Sequence, residues 1–288
     1  MHKLGAHLSI AGGYDQALKK IGEIGGNCLQ IFSASPRGWN RITVTEKQIQ
    51  DFVQLKKKLA VDPVFFHASY LINLADSERI GSFSKKTLIA ELNIASQLGI
   101  KGSIIHLGSY KNDRRDVINH VSTEKKYPIL INNISEILAS TPKDTFFIIE
   151  NAGNKKIGQS LVEIAQIIKD LDNKRVKVCL DTCHLFSAGY DLRTLEKLDR
   201  FLAEFDQKIG LDKLIVWHFN DSRDTFASGH DRHQNIGEGL IGKEEFKLIL
   251  NHPLLKKLPF IIETPGFDNH GPDKKNLDTL KELINSKS

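Results

Sequence analysis

VKVCLDTCHLFSAGY, residues 176–190, contains a short strand that runs into a chemically loaded turn. Val176, Val178 and Leu180 alternate with Lys177 and Cys179, and the β-branched content suits an extended segment. The segment ends at Asp181, with His184 three residues on and a Ser-Ala-Gly turn beyond. Carboxylate oxygen and imidazole nitrogen are both ligands for Zn²⁺, and this spacing sets them on one rigid edge. An Asp at a strand tip also caps helices, so the pair by itself decides nothing.

The same pattern recurs along the chain. Seven further apolar runs occupy residues 3–7, 27–33, 63–67, 103–106, 146–150, 214–220 and 259–263. Amphipathic stretches such as 45–60, 83–99, 160–171 and 194–210 lie between them, with apolar residues at i, i+3 and i+4. Eight strand–helix units in 288 residues average about 36 residues each, which predicts an α/β fold, a (β/α)₈ TIM barrel. A doubly wound open sheet is the alternative, but no G-x-G-x-x-G follows the first run. No Pro/Gly/Ser-rich linker divides the chain, so one domain over 1–288 is expected. Gly12-Gly13 and Gly25-Gly26 should bracket the first helix, and Lys56 to Lys58 should close the second against its dipole.

Composition narrows the class. With 40% hydrophobic and 26% charged residues the chain can bury a large core, and wholesale disorder is excluded. No apolar run approaches the 18 or so residues of a membrane span, and the amino terminus lacks the apolar core of a secretory signal. Three cysteines, an odd number, read as small buried side chains in a reducing cytoplasm rather than a disulfide framework. A net charge of +5 is compatible with an anionic partner.

In such a barrel the carboxyl ends of all strands face one rim. Six consecutive strands deliver His67, His106, Glu150, Asp181, His218 and Glu263 there. Runs such as SIIH and FFIIE are too apolar to welcome an unpartnered polar end. His184 follows Asp181, and the loop SGHDRHQNIGEG adds Asp231 and His233. These five histidines and four carboxylates exceed what one tetrahedral ion uses, so a multinuclear site is expected. The mixture suits Zn²⁺ best, with Mn²⁺ or Fe²⁺ possible. His7 should contact a ligand or the substrate, while His2, His120, His252 and His270 should lie on the surface.

GAHLSIAGG, FHASYLIN, IIHLGS, IIEN, CLDTCHLFSAGYD, HFNDS, GHDRHQNIGEG and IIETP, in order from Gly5 to Pro265, resemble the endonuclease IV family of apurinic/apyrimidinic endonucleases. The resemblance implies three zinc ions per chain, with Mn²⁺ possible in part. It assigns His67, His106 and Glu150 to one ion and Asp181, His218 and Glu263 to another, with Glu150 as the catalytic bridge. His184, Asp231 and His233 would hold the third. It also makes Arg37, Tyr70 and Leu71 DNA-penetrating residues that fill the gap left by an extruded abasic nucleotide, a wedge that offsets unstacking. Trp39 could share that role or simply pack, and Arg114 and Arg115 could touch phosphates.

The implied substrate is double-stranded DNA carrying abasic sites or blocked 3′ ends, cut 5′ to the lesion by a monomer to leave a 3′-hydroxyl. Paired divalent ions acidify a water and clamp a phosphodiester, and three would raise the formal charge to about +11. A lyase would need a desolvated lysine, and only Lys177 interrupts a strand, facing away from the rim by alternation. The runner-up is a metal-dependent sugar isomerase or epimerase on the same barrel. It needs about four or five ligands and leaves His184, Asp231 and His233 unexplained.

Overall fold

The structure is a computed structural model that describes residues 2–39, 43–110, 123–153 and 156–285. Its strands are β1 (Lys3–Leu8), β2 (Cys28–Phe32), β3 (Val64–His67), β4 (Gly102–Ile105), β5 (Phe146–Glu150), β6 (Val176–Asp181), β7 (Leu214–His218), β8 (Asp221–Ser222), β9 (His233–Gln234) and β10 (Pro259–Ile262). Eight of them pair in parallel and close the expected barrel, in the order β1-β2-β3-β4-β5-β6-β7-β10 and back to β1. The short antiparallel pair β8–β9 folds the long connection after β7.

Helices α1 (Tyr14–Glu23), α2 (Glu46–Lys58), α3 (Arg79–Leu98), α4 (Thr123–Ala139), α5 (Leu161–Leu171), α6 (Thr182–Ala188), α7 (Leu195–Lys208), α8 (Lys243–Asn251) and α9 (Lys274–Asn285), with a 3₁₀ turn at Leu211–Lys213, complete the described elements. Their starts follow from sequence. Thr45 and Gln48 form a reciprocal capping box on α2, and the side chains of Ser160 and Thr194 accept the first free N–H groups of α5 and α7. Gly13 and Gly25 bracket α1, and the three lysines close α2, as expected.

Alternation along the strands builds two inner layers. Cys28, Phe65, Ile104, Ile148, Cys179, Val216 and Ile261 form a separate apolar cluster, one residue from each of seven strands. Two residues further along the same strands stand Gln30, His67, His106, Glu150, Asp181, His218 and Glu263. On β1 the matching pair is Gly5 and His7. A Cβ on Gly5 would lie 2.1 Å from the Cys28 carbonyl oxygen, so only glycine fits. The larger core, including Leu18, Phe52, Leu92, Ile164 and Phe205, lies between barrel and helices. The polar ring therefore rests on a dry plug inside a rigid cylinder.

Four details differ from expectation. β7 stops at His218, because the Asn220 N–H turns to the Thr182 hydroxyl at 2.9 Å. β4 and β10 end one residue before His106 and Glu263. The residues after Asp181 form a helix rather than a turn: the Asp181 carboxylate accepts the His184 N–H at 2.9 Å and starts α6 there. His252 is buried, because its Nε2 pairs with Asp199 at 2.9 Å across α7. All three cysteines are free and buried, as read from sequence. Arg114, Arg115 and His120 lie outside the described residues, among which no helix is long and apolar enough to cross a membrane.

Candidate metal centre

Glu150 stands at the middle of the ring, fully buried at the tip of β5. Its Oε2 lies 3.1 Å from His67 Nε2 and 3.2 Å from His106 Nε2. Its Oε1 lies 2.9 Å from His218 Nδ1. One carboxylate thus faces two groups of donors, His67–His106–Glu150 and Glu150–Asp181–His218–Glu263. A third group, His184–Asp231–His233, is assembled from α6, the loop before β9 and the first residue of β9. Within each group the donor atoms lie within 4.8 Å of one another. All nine residues expected from sequence are brought together.

Local structure orients these side chains. Asp181 divides its carboxylate: Oδ1 caps α6, while Oδ2 accepts a hydrogen bond from Asn220 Nδ2 at 2.7 Å. Asn220 Oδ1 accepts the Glu263 N–H at 2.7 Å, which ties two ring carboxylates together. Asn151 Oδ1 accepts the Asp181 N–H at 2.7 Å, and its carbonyl meets His184 Nδ1 at 2.9 Å. Gln30 bridges His218 and Glu263. Sequence reasoning passed over Gln30, Asn151 and Asn220, since amides are poor metal ligands. The usable signal for Gln30 was its place two residues after Cys28, where six other strands carry His, Asp or Glu.

Electrostatics follow from burial and crowding. Burial opposes ionisation of Glu150, yet the cationic forms of His106 and His218 and hydrogen bonds from His218 and His67 hold it well below the usual carboxylate range. Burial likewise opposes ionisation of Glu263, and His218 and His7 hold it low. His106 is pushed down to about 4 by burial, which Glu150 only partly offsets. His184 resists burial and rises to about 10 because Asp181 and Asp231 face it. Glu150 and Glu263 thus hold negative charge at a buried position. His106 Nδ1 and His233 Nε2 are buried without a hydrogen-bond partner, although His233 Nε2 lies 3.5 Å from Asp231 Oδ1 and 3.7 Å from Asp181 Oδ2. Ionised oxygens, imidazole lone pairs and low solvent access are the donor chemistry of divalent cations, and the residues fit such a group.

A family model described as a xylose isomerase-like TIM barrel matches residues 18–285. "Probable endonuclease 4" of Thermosipho africanus (strain TCF52B) is 40% identical, over 98% of this chain and 99% of its own length. Its namesake in Persephonella marina (strain DSM 14350 / EX-H1) is 35% identical, over 99% of this chain and 98% of its own. The chain belongs to the endonuclease IV family. The crystal structure of endonuclease IV from Thermus thermophilus superposes with a TM-score of 0.83 at 29% identity, covering 98% of both chains. A D-tagatose 3-epimerase-like protein also superposes, with a TM-score of 0.71 at 20% identity over 98% of this chain and 97% of its own. That likeness is one of barrel fold.

In this member of the endonuclease IV family His67, His106, His184, Asp231, His233 and Glu263 line an open cavity of about 960 Å³, and Glu150, Asp181 and His218 are fully buried behind them. Arg37 and Tyr70 are on its walls, and Leu71 is half-buried outside the lining. Tyr70 is 55% exposed and stands edge-on to Phe32, which in turn stands edge-on to His67. Ser69 Oγ donates to the Pro36 carbonyl at 2.7 Å and accepts the Leu71 N–H at 3.2 Å, so the two loops carrying Arg37 and Tyr70 are joined. Trp39 packs, stacked on Phe83 with ring centroids 5.6 Å apart. His7 lies on the floor, its Nδ1 2.9 Å from Glu263 Oε1, and burial lowers its pKa. Lys177 donates to the Asp212 carbonyl at 3.0 Å, away from the cavity, whereas Lys20 and Lys156 reach the walls from helix and loop.

Proposed function

We propose that this protein hydrolyses DNA at abasic sites, cutting the phosphodiester on the 5′ side to leave a 3′-hydroxyl and a 5′-deoxyribose phosphate. The same site would trim blocked 3′ ends as a phosphodiesterase or phosphatase. The observation that carries the reading is the joining of three donor groups around a buried Glu150, with members of each group lining one open cavity. Membership in the endonuclease IV family supports it. The third group favours it over an isomerase or epimerase, which would leave His184, Asp231 and His233 without work.

His67, His106 and Glu150 would hold one divalent ion, Asp181, His218, Glu263 and Glu150 a second, and His184, Asp231 and His233 a third. Zinc suits these donors, with manganese possible in part. Such ions supply an acidified water and offset the charge of a phosphodiester. The chain's own residues do the rest. Glu150 spaces two donor groups with its two oxygens, and Asn220 keeps Asp181 and Glu263 in register. Tyr70 and Arg37 stand where an unstacked duplex would meet the rim, and Leu71 follows on the same loop. One chain carries every proposed ligand, so a monomer suffices, and three buried thiols suit a reducing cytoplasm.

The test is product analysis on a duplex with one abasic site. The expected product has a 3′ end that a DNA polymerase extends directly, and borohydride added during turnover traps no protein–DNA adduct. A trapped adduct, or an end no polymerase can use, would defeat hydrolysis and turn attention to Lys20 and Lys156 as amine nucleophiles.

A further inference from the structure

His67 and His184 each commit one ring nitrogen to a backbone carbonyl. His67 Nδ1 meets the Ala68 oxygen at 2.8 Å, and His184 Nδ1 meets the Asn151 oxygen at 2.9 Å. A carbonyl oxygen only accepts, so both rings carry a proton on Nδ1 and turn Nε2 toward the donor groups. His218 is reversed. Its Nδ1 faces Glu150, Glu263 and Asp181 at 2.9, 3.6 and 3.9 Å. Its Nε2 meets a side chain instead of a carbonyl of the backbone, Gln30 Oε1 at 2.7 Å.

We propose that Gln30 is the positioning residue of the second donor group, holding a proton at His218 Nε2 so that Nδ1 is the nitrogen offered to an ion bound among Glu150, Glu263 and Asp181. The inference rests on the metal reading of the site. An amide can be turned either way in its pocket, and its orientation is set by what meets its other end. There Gln30 Nε2 donates to Glu263 Oε1. A carboxylate only accepts, so the NH₂ end must face Glu263 and the oxygen must face His218. That oxygen only accepts in turn, so His218 must donate from Nε2. Glu263 thereby sets the amide, and the amide sets the imidazole. His7 Nδ1 lies 2.9 Å from the same carboxylate oxygen and 2.9 Å from Gln30 Nε2, so the three groups meet at one point. Gln30 is fully buried, so water is no ready substitute for it. It occupies on β2 the ring position that β3 to β7 and β10 give to His, Asp or Glu, and it adds no charge there.

The test uses Gln30→Met, close in length and unable to make either bond. Parent and variant are loaded with zinc, and zinc per chain and its rate of release to excess chelator are measured. The melting curves of the metal-free proteins report the fold. The expected variant folds like the parent but gives up one ion about 10–100-fold more readily, the usual range for losing a partner of a metal-bound histidine. The other ions should leave at the parent's rate. Identical release from both proteins overturns the proposal. A parent that binds no zinc overturns the metal reading itself, so the two failures are told apart. Should Gln30→Met fail to fold, ¹⁵N spectra of the histidine-labelled, zinc-loaded parent decide instead. His218 must show its N–H at Nε2, coupled through space to the Gln30 amide, and an N–H at Nδ1 overturns the proposal.

Discussion

Glu150 gives one oxygen to each of two donor groups, and an amide cannot do the same. Glu150→Gln should keep the fold, since a neutral side chain is easier to bury than an ionised one. Cleavage should fall by more than the roughly 10–100-fold typical of losing a residue that only supports a ligand. Single-turnover rates beside far-UV circular dichroism check both halves, and near-parental turnover would move the bridge to another residue. Tyr70 belongs to recognition. Tyr70→Ala should weaken binding to an abasic duplex by about 1–3 kcal/mol, the range for a lost stacking contact, and barely affect an undamaged duplex. Equal losses on both would make Tyr70 merely a prop for Phe32. At this scale the charged ligands were legible because an imidazole or carboxylate after three or four apolar residues needs a partner. Asn151 and Asn220 were not, because a buried amide is equally at home in any turn, and Gln30 was marked only by its place two residues after Cys28 on β2.

Among the elements, the strands were legible from their apolar runs, and the helix starts from Thr45, Ser160 and Thr194. The start of α6 was hidden, because Asp181 serves both as cap and as ring member and its second role masked the first. The loop after β7 was also beyond reach. It is organised by Asp221, whose carboxylate accepts the N–H groups of Ser222, Gly237, Gly239 and Ile241, all distant in sequence except the first. On α8, Glu245 is buried with one carboxylate oxygen unpartnered. Burial first, then the charges of Asp191 and Asp221 against the opposing Arg193, raises it from 4.5 to about 8. Below pH 4.5 folded and unfolded chains both hold that proton. Between pH 4.5 and about 8 only the folded chain does, so stability falls as pH rises and the loss is complete above about 8. Glu245→Gln cannot ionise and escapes the loss. It should melt close to the parent near pH 4.5 and above it at pH 8–9, with a gap that widens in between. A gap independent of pH would show that Glu245 does not titrate in this window.

For the whole molecule, metal and fold are expected to be linked. Four carboxylates converge at the ring, and cations bound only by the folded chain would stabilise it by mass action, about 2.7 kcal/mol for each site at a hundredfold excess over its Kd. Elemental analysis should find about three ions per chain. Prolonged chelation should abolish cleavage and lower the melting temperature, and added zinc should restore both. Unchanged cleavage after complete removal of metal would end the metal reading. Eight strand–helix units were legible from spacing alone, because each must bury one face of a strand and one stripe of a helix.

The closure of the barrel between β1 and β10 also has a consequence in time. During synthesis His7 is the first member of the ring to leave the ribosome and Glu263 the last, yet the two finish 2.9 Å apart. Until Pro259–Ile262 emerges, β1 and β7 are unpaired edges and the second donor group lacks a carboxylate. A growing chain is therefore a poor nuclease at every length short of the seam, and the capacity to cut arises in the step that seals the cylinder.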